Sequence, residues 1–154
     1  MYVDESGVTV RLVREYGRAE RGKKVPGVKA GGKCQRTNVI AALCGEKHTA
    51  VRCSADRTNA AFFEQWFGGC LLKTVPRAGT VIMDNASFHR KGALEEIIRK
   101  ARRKVKILFL PPYSPDYNRI EKSWANMKRR LRDTLSNFPS VDAAVYDYFN
   151  VSNT

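Results

Sequence analysis

Near the N-terminus, Val8, Val10 and Leu12 alternate with polar residues, the two-residue period of a half-buried strand. Before them, Tyr2 and Val3 lead into Asp4, which this reading places at the end of a first short strand. Residues 37–44 (TNVIAALC) and 47–53 (KHTAVRC) flank Gly45-Glu46, two β-type runs around a two-residue turn, which predicts a hairpin. From Thr58 the period changes. Apolar residues at 62, 63, 66, 67, 70 and 71 have helical spacing, and Gly68-Gly69 weakens that helix or ends it near its last turn. A short apolar run (80–84, TVIMD) closing on Asp84 predicts a central strand. Ala93, Leu94, Ile97, Ile98 and Ala101 then share one helical face within 92–103, and 104–110 (KVKILFL) is strand-like again. Strand, helix and strand with short joints make a βαβ unit, so the two strands are expected to run parallel with a right-handed crossover. Ile120, Trp124, Met127 and Leu131 form the stripe of an amphipathic helix, and a short last helix is expected from Val141 to Phe149. An antiparallel β group, a helix, a βαβ unit and one or two further helices predict an α/β fold: a mixed sheet with helices on its faces.

Composition adds a partner. The 154 residues are enough for one ordinary domain with a real core. Lys and Arg number 28 against 15 Asp and Glu, a formal charge of +13, which favours polyanions such as nucleic acid. The stretch 14–36 is rich in Gly, Lys and Arg and is read as a basic loop. No apolar run is long enough for a membrane span and no signal peptide is apparent, so a cytoplasmic protein without membrane partners is expected. The cysteines at 34, 44, 53 and 70 lack zinc-ligand spacing with each other or with His48 and His89, and are expected to be reduced, buried thiols.

The candidate chemistry lies in the acids. Ligands of open α/β sheets gather outside the carboxyl ends of strands. Aspartates ending two neighbouring strands, Asp4 and Asp84, could hold a hard cation through oxygen ligands. Glu121 is the candidate third acid. Pro111-Pro112 ends the last strand, Ser114-Pro115 offers a helix cap followed by proline, and the Ile120/Trp124 stripe sets the rotation of Glu121 beside it. Three carboxylates around one or two magnesium ions suit phosphodiester chemistry. The same residues also have ordinary uses: strand-end aspartates close turns or cap helices, and a helix-opening glutamate complements the helix dipole.

Residues 84–89 (DNASFH) and 110–124 (LPPYSPDYNRIEKSW) resemble the second and third acidic motifs of DDE transposases, in the bacterial insertion-sequence branch of the mariner-like superfamily, and 4–7 (DESG) resembles the first. The resemblance covers nearly the whole chain. It implies a ribonuclease-H-like fold, here a mixed five-stranded sheet with helices on both faces. It implies a catalytic and metal-binding triad of Asp4, Asp84 and Glu121 holding two Mg2+ or Mn2+ ions. The implied reaction is cleavage at transposon ends followed by transfer of the freed 3′-hydroxyl to target DNA, by a homo-oligomer in the active complex. Asn85, His89 and Asn118 take supporting roles: Asn85 and His89 orient the second acid or approach the DNA backbone, with His89 expected one turn into a helix. Asn118-Arg119-Ile120 departs from the commoner Asn-Pro-Ile of the family. Lys128 and Arg132 fall on the helical face of Glu121, and with Arg129 are the expected phosphate contacts. The chain begins three residues before its first acid, so it is expected to be a single catalytic domain lacking the N-terminal helix-turn-helix region of full-length relatives. A truncated remnant, catalytically silent and only binding DNA, is the alternative.

Overall fold

A computed structural model describes residues 1–9, 21, 36–112 and 114–149. The strand positions Val10 and Leu12 and nearly all of the basic stretch 14–36 lie outside the described residues. Among the described residues, five strands form one sheet in the order β3-β2-β1-β4-β5. They are β1 (Tyr2–Thr9), β2 (Arg36–Cys44), β3 (Lys47–Ser54), β4 (Ala78–Met83) and β5 (Lys104–Phe109). The first three are antiparallel, with Gly45 at φ 62° in the hairpin turn. β4 and β5 are parallel, as the βαβ reading requires.

Residue alternation along the strands builds two cores. Val3, Ile40, Ala42, Val81 and Met83 face a layer made by α1 (Ala60–Trp66), α2 (Leu72–Thr74) and α3 (Lys91–Lys100). Val8, Val39, Ala41 and Leu43 face α4 (Ile120–Thr134) and α5 (Val141–Tyr148). All four stripe residues of α4 are buried. A Leu→Ala change at a site such as Leu131 costs about 2–5 kcal/mol.

The glycine pair does not end its helix. The chain widens into a π-helical segment, Phe67–Leu71, and continues into α2. A Cβ on Gly68 would stand 3.1 Å from the Ile97 side chain, so glycine here lets the helix approach α3. The cysteines also differ from the sequence reading: Cys44 is exposed, and Cys53 and Cys70 are half-buried.

The first strand corrects the placement of Asp4. β1 is eight residues long, and Asp4 sits inside it rather than at its end. Residues 4–9 remain extended because β2 pairs with them throughout, Asp4 opposite Ala41 and Thr9 opposite Arg36. On its other side β1 pairs with β4 only at Tyr2 and Ile82. Two residues further along each chain, Asp4 and Asp84 stand level where β4 gives out. The loss of one neighbour opens the sheet there, although the strand itself goes on.

Candidate active site

Asp4, Asp84 and Glu121 line one cleft of about 410 Å³, with Asn85, Asn118, Pro111, Pro112 and Ser114 among its other walls. Each acid comes from a different element. Asp4 points to the α4 side of the sheet, sharing the parity of Tyr2 and Val8 in β1. Asp84 is the first residue past β4, and Glu121 lies in the first turn of α4.

The approach to Glu121 differs from the sequence reading. Ser114 and Pro115 do not cap α4, because Pro115–Tyr117 form a separate 3-10 turn and α4 starts at Ile120. The intervening Asn118 is the anchor. Its side-chain amide donates to the Val3 carbonyl (3.2 Å), and its own carbonyl accepts from the Glu121 backbone N–H (3.0 Å). One buried asparagine thus ties the start of α4 to the residue before Asp4. With its amide nitrogen spent on Val3, Oδ1 is left buried without a hydrogen-bond partner among the described residues. An acceptor in that state costs about 1–3 kcal/mol unless something fills its need.

The two aspartates have opposite surroundings. Asp4 is 8% exposed, and its Oδ2 accepts from Trp124 Nε1 at 3.0 Å. Burial first, and the nearby Glu121 charge next, push its carboxyl up to about 7. The Asp84 side chain is 52% exposed and meets His89 Nδ1 at 3.0 Å. That hydrogen bond is the main reason its carboxyl lies below the usual range. Burial alone would lower the His89 pKa, but its bonds to Asp84 and to Glu5 Oε1 (3.3 Å) outweigh burial and raise it to about 9. The imidazolium donates from both nitrogens, and its ring packs 4.1 Å from Phe63. His89 was expected inside a helix. It precedes α3, as does Asp84-Asn85, because the turn Ala86–Arg90 comes first.

All three acids therefore line one cleft, yet among the described residues no three His, Cys, Asp or Glu side chains are grouped closely enough to hold an ion as they stand. Like charges spread when no cation neutralises them, and Asp84 has His89 as an alternative partner. The donor set still fits a hard divalent cation: carboxylate oxygens, plus the orphaned amide oxygen of Asn118. Asn85 opens onto the cleft. Lys128, Arg129 and Arg132 do not line it. Arg129 and Arg130 instead border a cleft of about 600 Å³ between α4 and α5, beside Phe138 and Tyr148. Two participants had no polar role in the sequence reading. Glu5 was only a letter of the first motif, and Trp124 the last letter of the third and a stripe residue setting the rotation of Glu121. The spacing of Trp124 from Glu121, three residues on a helix, was the one signal that it shares the cleft's side.

The sequence profile of the DDE superfamily endonuclease family matches residues 1–143. The chain belongs to the DDE superfamily endonucleases. Solved structures agree on the fold of this DDE domain. A Mos1 transposase paired-end complex with the left transposon end matches at TM-score 0.69 and 16% identity, covering 99% of this chain and 48% of that one. The Mos1 strand transfer complex matches at 0.72 and 18%, covering 97% and 45%. A simian T-cell lymphotropic virus intasome, in complex with the PP2A regulatory subunit B56 gamma, matches at 0.53 and 10%, covering 94% and 46%. At these identities the likeness is one of fold, and the DDE domain spans about half the length of those chains. No curated protein matches the sequence.

Proposed function

We propose that this DDE endonuclease domain is the catalytic core of a transposase of the bacterial insertion-sequence type, cutting DNA at transposon ends and joining the 3′ end to target DNA. One observation carries the reading: Asp4, Asp84 and Glu121 reach a single cleft from three separate elements of a DDE family domain. Asp4, Asp84 and Glu121 would hold two Mg2+ or Mn2+ ions, with Asn118 in the wall of the same cleft. Such ions, when bound, acidify a water or 3′-hydroxyl and steady the departing oxygen.

The chain's own groups do the rest. Asp4 gives up its proton as the site fills, and Asp84 stays ionised under the hold of His89. Asn118 keeps Glu121 in register with β1. The charge of +13 draws the DNA, and Lys128, Arg129 and Arg132 on α4 supply phosphate contacts outside the cleft. Two or more copies would act together on paired ends.

The test is nicking of a labelled duplex in Mn2+ by the parent, Asp84→Asn and Glu121→Gln, with circular dichroism to follow folding. Both variants should stay folded and lose nicking to background. A variant that nicks as well as the parent would mean the triad is misassigned.

A further inference from the structure

Four residues of α4 fill the core beneath β1 and β2, and three of them, Ile120, Met127 and Leu131, have no hydrogen to donate. The fourth, Trp124, is only 2% exposed and spends its indole N–H on a buried carboxylate oxygen of Asp4. Leucine or phenylalanine would fill the same core. Neither would hold Asp4. The other tryptophan, Trp66, gives the contrast: its Nε1 donates to the Ala50 backbone carbonyl at 2.6 Å, next to the β-bulge of the β2–β3 pair, and serves the fold alone.

The indole is itself held from behind. Phe149 meets it edge-on with ring centroids 6.1 Å apart, and the His48 ring lies 6.4 Å away. His48 bonds Ser123, the residue before Trp124 on α4, at 2.6 Å, and packs on Phe149 at 4.6 Å. Strand β3 and the end of α5 thus fix a ring whose one polar atom is aimed at the cleft's deepest acid.

We propose that Trp124 is a positioning residue for the cleft: its indole N–H fixes the orientation of the Asp4 carboxylate toward the cation. The proposal rests on the metal reading of the cleft given above. A donor placed behind a metal-binding carboxylate sets the ligand's direction, and its loss typically weakens metal binding tenfold to a hundredfold.

The test is calorimetric titration of Mn2+ into the full chain with a short duplex present, alongside thermal melts. The variants are Trp124→Phe, β-(3-benzothienyl)alanine at position 124, which keeps the ring shape and removes the N–H, and Trp66→Phe. The isosteric variant should stay folded and melt no lower than Trp124→Phe, yet bind Mn2+ at least tenfold more weakly than the parent, with kcat for nicking falling and KM for the duplex unchanged. Trp124→Phe should show the same loss of affinity with some loss of melting temperature. Trp66→Phe should lose melting temperature and keep its affinity. An isosteric variant that binds Mn2+ as tightly as the parent overturns the proposal while leaving the triad standing. A parent that takes up no Mn2+ removes the metal reading first, and this proposal with it.

Discussion

Asp4 and Asp84 stand level across neighbouring strands and line the same cleft, yet the fold treats them in opposite ways. Asp4 is sunk beneath α4 and faces the Glu121 charge, so its charged form is disfavoured even though it receives a neutral indole N–H, which by itself would favour it. Asp84 sits at the mouth, half-exposed, and receives a cationic imidazolium, so its charged form is favoured. Neutral and cationic donors are not interchangeable: a hydrogen bond from a charged group contributes about twice that of a neutral one. On the proposed metal reading, the pair would share a ligand role without sharing electrostatics: one aspartate kept ionised by its partner, the other held neutral by burial until a cation arrives.

The largest break in that comparison is in pH-dependent stability. Asp4 has a folded pKa of about 7 against an unfolded value of 3.8. Between those values the folded state binds more protons, so stability falls as pH rises and stays lost above 7. A difference that size is at most on the order of 4 kcal/mol. Metal-free Asp4→Asn should therefore gain stability over the parent progressively between about pH 4 and pH 7, then hold a constant gap. Asp84 has the opposite sign. Its folded pKa is depressed, so its contribution is present above 3.8 and disappears as pH falls through the folded value. Asp84→Asn should melt below the parent at neutral pH and converge with it in acid, by a smaller amount because the carboxylate is half-exposed. Urea melts in chelator from pH 3 to 8 check both; parallel curves for the two variants would erase the distinction.

Next in size is His89. His89→Ala takes the donor from Asp84 and Glu5 and strips the ring from Phe63. We expect about 1–3 kcal/mol of lost stability and a tenfold to hundredfold loss of Mn2+ affinity, measured by calorimetry. Unchanged affinity in a folded variant would reduce His89 to a core residue.

The order of elements, the hairpin, the βαβ unit and the stripe of α4 were all legible in the sequence, because each rests on local periodicity that tertiary packing then reinforces. The π-helical passage through Gly68-Gly69 was not. What the glycine makes room for there is Ile97, a neighbour 29 positions away in the sequence. The length of β1 depends on β2 offering partners through Thr9, which one strand's pattern does not carry. Motif resemblance put the three acids together, and the structure lines one cleft with them. The opposite treatment of the two aspartates stayed hidden, since it comes from the burial of Asp4 and the Glu121 charge beside it on one side, and from the His89 bond to the Asp84 carboxylate on the other. The anchoring of α4 by Asn118, in place of a cap by Ser114, likewise depends on a carbonyl from β1.

The smallest effect sharpens the comparison most finely. Glu5 lies on the face of β1 opposite Asp4, and its bond to His89 Nε2 is longer than the Asp84 bond, 3.3 Å against 3.0 Å. If Glu5 chiefly helps keep His89 charged, Glu5→Gln should lower the imidazole pKa from about 9 toward its ordinary value while retaining an acceptor for Nε2. The cost in stability near neutral pH should then stay under about 1 kcal/mol, since a neutral acceptor still satisfies the donor. The visible change is in alkaline solution: the raised folded pKa means the His89 bonds stabilise the fold below 6.5 and are lost as pH rises through 9, and in Glu5→Gln that loss should begin earlier. NMR titration of the His89 ring carbons reads the pKa directly. An unshifted ring pKa would assign the imidazolium to Asp84 alone and make the contrast between the two aspartates a matter of one partner each.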